Sequence, residues 1–190
     1  GPFIYIFLQR RAEDALLREQ HRYQETLKQA SIGMTRIRNL RKLLDLITHI
    51  VTKTVRINYA AIYLYNKETD QFVLQVSRDR GRIPIPTVAF KNPLISWLVL
   101  KRDPLIYDEV KRKSQENPGY VHDRLEENMR ILTAEVVIPC FLEDRLMGFI
   151  VLGDKVSGQI YTLDDLNVFQ VLASQAALAI ENAQFYDETK

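Results

Sequence analysis

The 190-residue chain has one cysteine, Cys140, and three histidines. A single thiol excludes an intramolecular disulfide framework and suits a reducing cytosol. Neither sign of charge prevails: 26 basic residues stand against 24 acidic ones, for a net charge of +2. That balance lacks the strong basic patch that nucleic-acid binding needs, so no nucleic-acid partner is expected. Long apolar runs are missing too. Phe3–Leu8 (FIYIFL) has six residues, where a bilayer span needs roughly 20. Catalytic signatures are absent: there is no Gly-x-Ser-x-Gly, His-Glu-x-x-His, phosphate loop or Cys-x-x-Cys. His21, His49 and His122 are far apart, and His21 and His49 read as surface or helix-edge residues. No catalytic residue, metal site or cofactor is therefore expected, and the chain reads as lacking enzymatic activity.

What is present is an apolar fraction of 46%, enough for a sizeable core in one domain with extensions. Gly1-Pro2 reads as the scar of a removed tag, and residues 1–2 are set aside. Phe3–Leu8 runs directly into Gln9-Arg10-Arg11, as a membrane helix does at its cytoplasmic edge. Residues 3–11 are accordingly expected to be the end of a transmembrane helix in a membrane-attached parent. From Ala12 to about Val55 there is no proline and one glycine, Gly33. Leu16, Tyr23, Ala30, Ile37, Leu44 and Val51 fall on a seven-residue repeat, with Leu27 and Met34 on a second seam. Such a repeat marks a helix that winds on a partner. Residues 12–39 are expected to be a signalling coiled coil, and Gly33 its hinge or break, since glycine costs a helix about 1 kcal/mol. Beyond it Leu40, Leu43, Leu44, Ile47, Ile50 and Val51 widen the apolar face, as for a helix that packs on a sheet.

Tyr59–Tyr65 and Gln71–Ser77 read as two strands around a polar turn, and Thr87–Phe90 as a short third. Asn92-Pro93 opens a helix to Lys101, with Asn92 as cap and Pro93 in first position. Leu105–Tyr107 is a short strand, Lys111–Tyr120 an irregular polar stretch, and Val121–Leu132 a helix with Leu125, Met129 and Leu132 inward. Val136–Leu142 and Leu146–Leu152 form a hairpin around Glu143-Asp144-Arg145. Alternation places Val136, Ile138 and Cys140 on one side and Val137, Pro139 and Phe141 on the other, so Cys140 reads as a small core residue. Thr162-Leu163-Asp164-Asp165 then opens a long helix, with Thr162 as cap and two acids in its first turn. Short polar turns between consecutive strands imply an antiparallel sheet flanked by helices, an α+β layout.

The order of these elements, and above all the closing hairpin, the Leu152–Gly158 loop (LGDKVSG) and the Ala-rich exit helix, resembles a GAF domain of bacterial sensor histidine kinases. The resemblance covers roughly Leu40 to Glu188, and residues 40–190 are expected to be the domain with the exit helix as its output helix. It implies a sensory and dimerising module on the cytoplasmic side of the bacterial inner membrane, with a kinase or other output domain downstream. Both long helices are expected to meet their copies in a parallel homodimer. The entry seam would use Leu16, Tyr23, Leu27, Ala30, Ile37 and Leu44, and the exit seam Phe169, Leu172, Ala176, Ala179, Ala183 and Tyr186. GAF domains hold ligands between one sheet face and the variable middle segment. The resemblance points there to Tyr63, Tyr65, Trp97 and Tyr120 around an unknown small organic ligand. Cyclic-nucleotide-binding members carry an Asn-Lys…Phe-Asp-Glu pattern, of which Asp154-Lys155…Tyr161-Thr162-Leu163-Asp164-Asp165 keeps only part. A bridge from Lys155 to Asp164 or Asp165 is the structural reading. His122 lies where some members bind haem, but its surroundings are polar. A methionine sulfoxide reductase of this fold is a remote alternative, because one cysteine cannot complete its disulfide cycle.

Overall fold

The computed structural model describes residues 2–34, 36–78 and 84–189. The side chains at 16, 17, 19–24, 26–28, 30–32, 54, 120 and 187–189 lie outside that description. Helix α1 spans Pro2–Met34, so it runs unbroken through the boundary expected between residues 11 and 12 and stops one residue after Gly33. Helix α2, Leu40–His49, starts afresh: the Asn39 side chain caps it by accepting from the Lys42 backbone N–H at 3.1 Å. It passes into a π-helical segment, Ile50–Thr54. There the Thr48 hydroxyl donates to the carbonyls of Leu44 and Asp45, and Thr52 donates to that of Thr48 at 2.7 Å. Such back-bonding disturbs the regular ladder.

Six antiparallel strands follow: β1 Ala60–Asn66, β2 Gln71–Arg78, β3 Thr87–Ala89, β4 Leu105–Ile106, β5 Val136–Leu142 and β6 Arg145–Leu152. Their order across the sheet is β3-β2-β1-β6-β5-β4. Helix α3, Pro93–Lys101, has Asn92 as cap, accepting from Leu94 N–H at 2.9 Å, and Pro93 in its first turn. Helix α5 is Tyr120–Ile131, with Leu125, Met129 and Leu132 buried. Where an irregular stretch is expected, Tyr107–Glu116 is instead a helix, α4. Only Val110 of α4 is buried, so the helix has almost no apolar stripe to read. It is held by Glu109–Lys113 pairing at 3.2 Å, by acids in its first turn and by a Ser114–Asp123 hydrogen bond to α5.

The sheet separates two cores. One face carries α1's end, α2 and the last helix, α6 (Leu163–Thr189), over Ile62, Leu64, Ile138, Cys140 and Ile150. The other carries α3, α4 and α5 over Tyr63, Phe72, Val137, Phe149 and Val151. Close approach of β1 and β6 depends on Gly148, where a Cβ would lie 2.2 Å from the Tyr63 carbonyl oxygen.

The helical seams need correction. Phe169, Leu172, Ala176, Ala179 and Ala183 are buried inside their own chain, where α6 packs on the sheet and on α1 and α2. Leu44 is buried in the same core. Spacings of three and four mark one helix face, and helix-on-sheet packing satisfies them as well as a partner helix does. No single entry seam exists either, because α1 ends before Ile37, which is half-buried beyond it. The side chains of Leu16, Tyr23, Leu27 and Ala30 lie outside the described residues.

Candidate functional site

The aromatic face comes first. Strand β1 points Tyr63 and Tyr65 to the α3–α5 side, as alternation requires. Tyr63 is fully buried and stacked on Phe149, with centroids 4.8 Å apart and planes 12° apart. Its hydroxyl donates to the Ile85 carbonyl at 2.7 Å, and burial pushes its pKa above the ordinary tyrosine value. Tyr65 lies farther out, edge-on to Phe90, and donates to Asp70 at 2.7 Å. Trp97 packs edge-on against His122 and under the Lys101 ammonium. The side chain of Tyr120 lies outside the described residues. Tyr63 therefore belongs to a packed core with its hydroxyl engaged, Trp97 packs against that core, and of these four only Tyr65, among the described residues, borders a cavity of ligand size.

That cavity, about 950 Å³, opens where β1 and β6 part. Their ladder runs from Ala60–Leu152 to Leu64–Gly148 and stops, although β1 continues to Asn66 and β6 starts at Arg145. Two β-bulges flank the opening. Gln75 is the extra residue on β2 and Met147 the extra one on β6, and both line the cavity. A bulge bends its strand, which accounts for the splay. Arg41 of α2 braces one of them by donating to the Gln75 carbonyl at 3.1 Å.

The loop–helix bridge forms through Asp165. Lys155 Nζ lies 2.5 Å from Asp165 Oδ2, and both side chains are mostly buried. Asp165 also accepts from Thr162 N–H at 2.8 Å, while Asp165 N–H donates to the Thr162 hydroxyl at 3.2 Å. The pair is a capping box with an aspartate in the third position. The Tyr161 hydroxyl donates to the Gly153 carbonyl at 2.5 Å, and the Lys155 ammonium sits over the Tyr161 ring. Lys155, Tyr161, Thr162 and Asp165 thus clamp the start of α6 to the end of β6. Asp164 is exposed on the first turn of α6. The Thr-x-x-Asp spacing signals the cap in sequence; the Tyr161 bond leaves no such sign.

Three more features escape sequence reasoning. Arg102 ends α3 in a left-handed conformation (φ 60°) and reaches the hairpin turn, donating to the Glu143 carbonyl at 2.6 Å and stacking 4.1 Å over Phe141. Arg38 lies 4.8 Å over Tyr186, joining the α1–α2 turn to the end of α6. Glu135 is pushed from its ordinary 4.5 up to about 7, by burial and by Asp154 and Asp108.

Cys140 is buried on β5, and burial pushes its thiol up to about 12. A thiol so placed is a poor nucleophile. Among the described residues no group of His, Cys, Asp and Glu could hold a metal ion.

The sequence model of the GAF domain matches residues 39–180. The chain belongs to the GAF domain family. This GAF domain is 25% identical over 169 residues to diguanylate cyclase A of Treponema denticola, a match that covers 86% of the chain and 44% of that protein. The chain thus spans less than half the length of this curated relative. Among solved structures, the GAF domain of a phosphoenolpyruvate-protein phosphotransferase from Coxiella burnetii superposes with a TM-score of 0.65 at 16% identity, over 89% of this chain and 98% of that one. The GAF domain of a two-component sensor histidine kinase from Bacillus halodurans gives 0.57 at 19% identity, over 80% and 99%. At these identities the structural likeness shows the fold alone. Among the described residues no helix is long and apolar enough to cross a membrane.

Proposed function

We propose that this GAF domain is a dimerising relay that passes a signal from α1, through the sheet, to an output domain beyond α6. The observation that supports it is the two-sidedness of α6. One face is buried on the sheet. The other exposes Val171 at 61%, Leu178 at 43% and Phe185 at 62%, each seven residues from the next. That spacing suits a second copy of α6 lying parallel to the first. At the opposite end Phe3–Leu8 is a helical turn and a half with every apolar side chain exposed, followed by Arg10-Arg11. In the parent protein these residues would continue a membrane helix and place the domain on the cytoplasmic side of the bacterial inner membrane. A histidine kinase is the favoured output. The name of the Treponema denticola relative makes a diguanylate cyclase the rival. Sedimentation at high micromolar concentration tests the relay: a dimer is expected, reduced to a monomer of unchanged helix content by Leu178→Glu with Phe185→Glu. A monomeric wild type would sink the proposal.

A second reading, a small-molecule receptor, is favoured by the groove between β1 and β6. Its volume of about 950 Å³ suits a small organic ligand. Tyr65, Phe90, Leu146, Met147 and Phe185 supply apolar contacts, and Gln184 of α6 a polar one. Native mass spectrometry of the purified protein should then find a retained ligand, lost in Met147→Trp. Wild type free of any such mass would remove the reading.

A further inference from the structure

Just before β5, Glu135 is fixed by its backbone: its N–H donates to Leu152 and its carbonyl accepts from Tyr107, both at 2.8 Å. Its side chain lines a second cavity of about 340 Å³, at the sheet edge opposite β3, together with Asp108, Glu109 and Arg112 of α4 and Asp154 and Lys155 of the loop after β6. Glu135 at the sheet edge and Asp154 on the loop face this cavity together, close enough for one carboxyl to hydrogen-bond the other. Ionising Glu135 beside another carboxylate is costly, so Glu135 holds its proton. Asp108 adds to the repulsion, while Lys111 of α4 opposes it. Lys155 faces the same cavity, but its ammonium is engaged by Asp165. Burial first, and then the charges of Asp154 and Asp108, push Glu135 from its ordinary 4.5 up to about 7.

Asp154 stands between the two loop residues that hold α6. Gly153 accepts from Tyr161, and Lys155 pairs with Asp165. The loop's other ties are backbone bonds to residues 56–59: Asn58 N–H to Asp154 at 2.8 Å, Val156 N–H to Arg56 at 2.9 Å and Gly153 N–H to Tyr59 at 2.8 Å.

We propose that Glu135 and Asp154, with Asp108 across the cavity, form a proton-operated latch on the entry of α6. With its proton in place, Glu135 donates to Asp154 and holds the loop at the sheet edge. When the proton leaves to solvent, two adjoining carboxylates repel. The loop then loosens and takes the Lys155–Asp165 clamp with it. Local opening stands on these contacts alone; its passage to an output domain rests on the relay reading above.

The test is hydrogen exchange of residues 153–166 in the intact chain between about pH 6 and pH 8, corrected for intrinsic rates, beside a carboxyl carbon-13 titration of Glu135. In wild type, the open fraction should grow about tenfold for the pH unit above the midpoint. Glu135→Gln, which keeps a donor to Asp154 and cannot ionise, should stay protected throughout. Asp154→Asn should return the Glu135 titration toward the ordinary carboxylate range and abolish the pH step; it decides the matter should Glu135→Gln fail to fold. A Glu135 carbon that titrates as an ordinary glutamate, or one exchange profile shared by wild type and both variants, would overturn the latch. A monomeric protein with an intact pH step would instead retain the latch and remove the relay.

Discussion

At the scale of the residue, two groups carry most of the consequence. Lys155 and Asp165 form a short, mostly buried pair, and Asp165 also accepts the Thr162 N–H. Lys155→Ala leaves a mostly buried carboxylate with one donor fewer, and should cost about 2 kcal/mol. Asp165→Asn keeps an oxygen for Thr162 and should cost less; urea titrations of both variants check the order. Glu135 sets a pH dependence of opposite character. Its folded pKa, about 7, exceeds the ordinary 4.5, so between these values the folded chain holds a proton that the unfolded chain has released. The stability it lends is fully present below about 4.5 and is lost as pH rises through about 7. Denaturation midpoints should fall over that window in wild type and fall less in Glu135→Gln. Neither side of this chemistry is legible from spacing. Asp154 and Asp108 lie far from Glu135 along the chain, and the Tyr63–Ile85 bond likewise joins residues that only the fold brings together. Asp165 is the exception, because its capping box with Thr162 is written in four consecutive residues.

Elements differ in how openly they declare themselves. Helix α3 is readable to the residue, since Asn92 and Pro93 act locally on its first turn. The strands of the closing hairpin are readable because alternation matches two real cores, with Cys140 on one and Val137 on the other. Helix α4 is not, since Val110 is its sole buried residue and its contacts come from α5. In α6 the seven-residue pattern finds a true apolar face but not what covers it. Phe169, Leu172 and the alanines turn to the sheet, and the weaker stripe of Val171, Leu178 and Phe185 faces out. Glycines show the same dependence on surroundings. At Gly33, near the end of α1, an added Cβ meets nothing within 4 Å. Gly33→Ala should therefore stabilise by up to about 1 kcal/mol. Gly148→Ala would press a Cβ on the Tyr63 carbonyl, a backbone atom that cannot rotate away. It should cost about 3 kcal/mol. Thermal melts of the two variants should move in opposite directions.

Seen as one molecule, the domain is a single sheet with the end of α1, α2 and α6 on one face and the variable helices on the other. That division was legible as a fold class, through the order of elements, but not as a partition of faces, which depends on pairings between distant strands. The bulge at Met147 adds a property of chain length. Leu146 belongs to the α3–α5 core, while Arg145 pairs with Glu181 of α6 at 2.7 Å on the opposite side. Those orientations hold only because Met147 is a surplus residue, absorbed without a partner on β5. Deleting any regular residue of β6 would exchange the faces of all that precede it. Deleting Met147 alone would leave Arg145 and Leu146 facing as they do, straighten the strand and bring it back beside Tyr65. A shortened chain of 189 residues should hence fold with its core unchanged and its groove closed, which loss of ligand-sized volume in a crystal structure would register. Met147 is a reversible insertion: the strand's two-residue grammar reads the same with it or without it, and the groove is the mark it leaves.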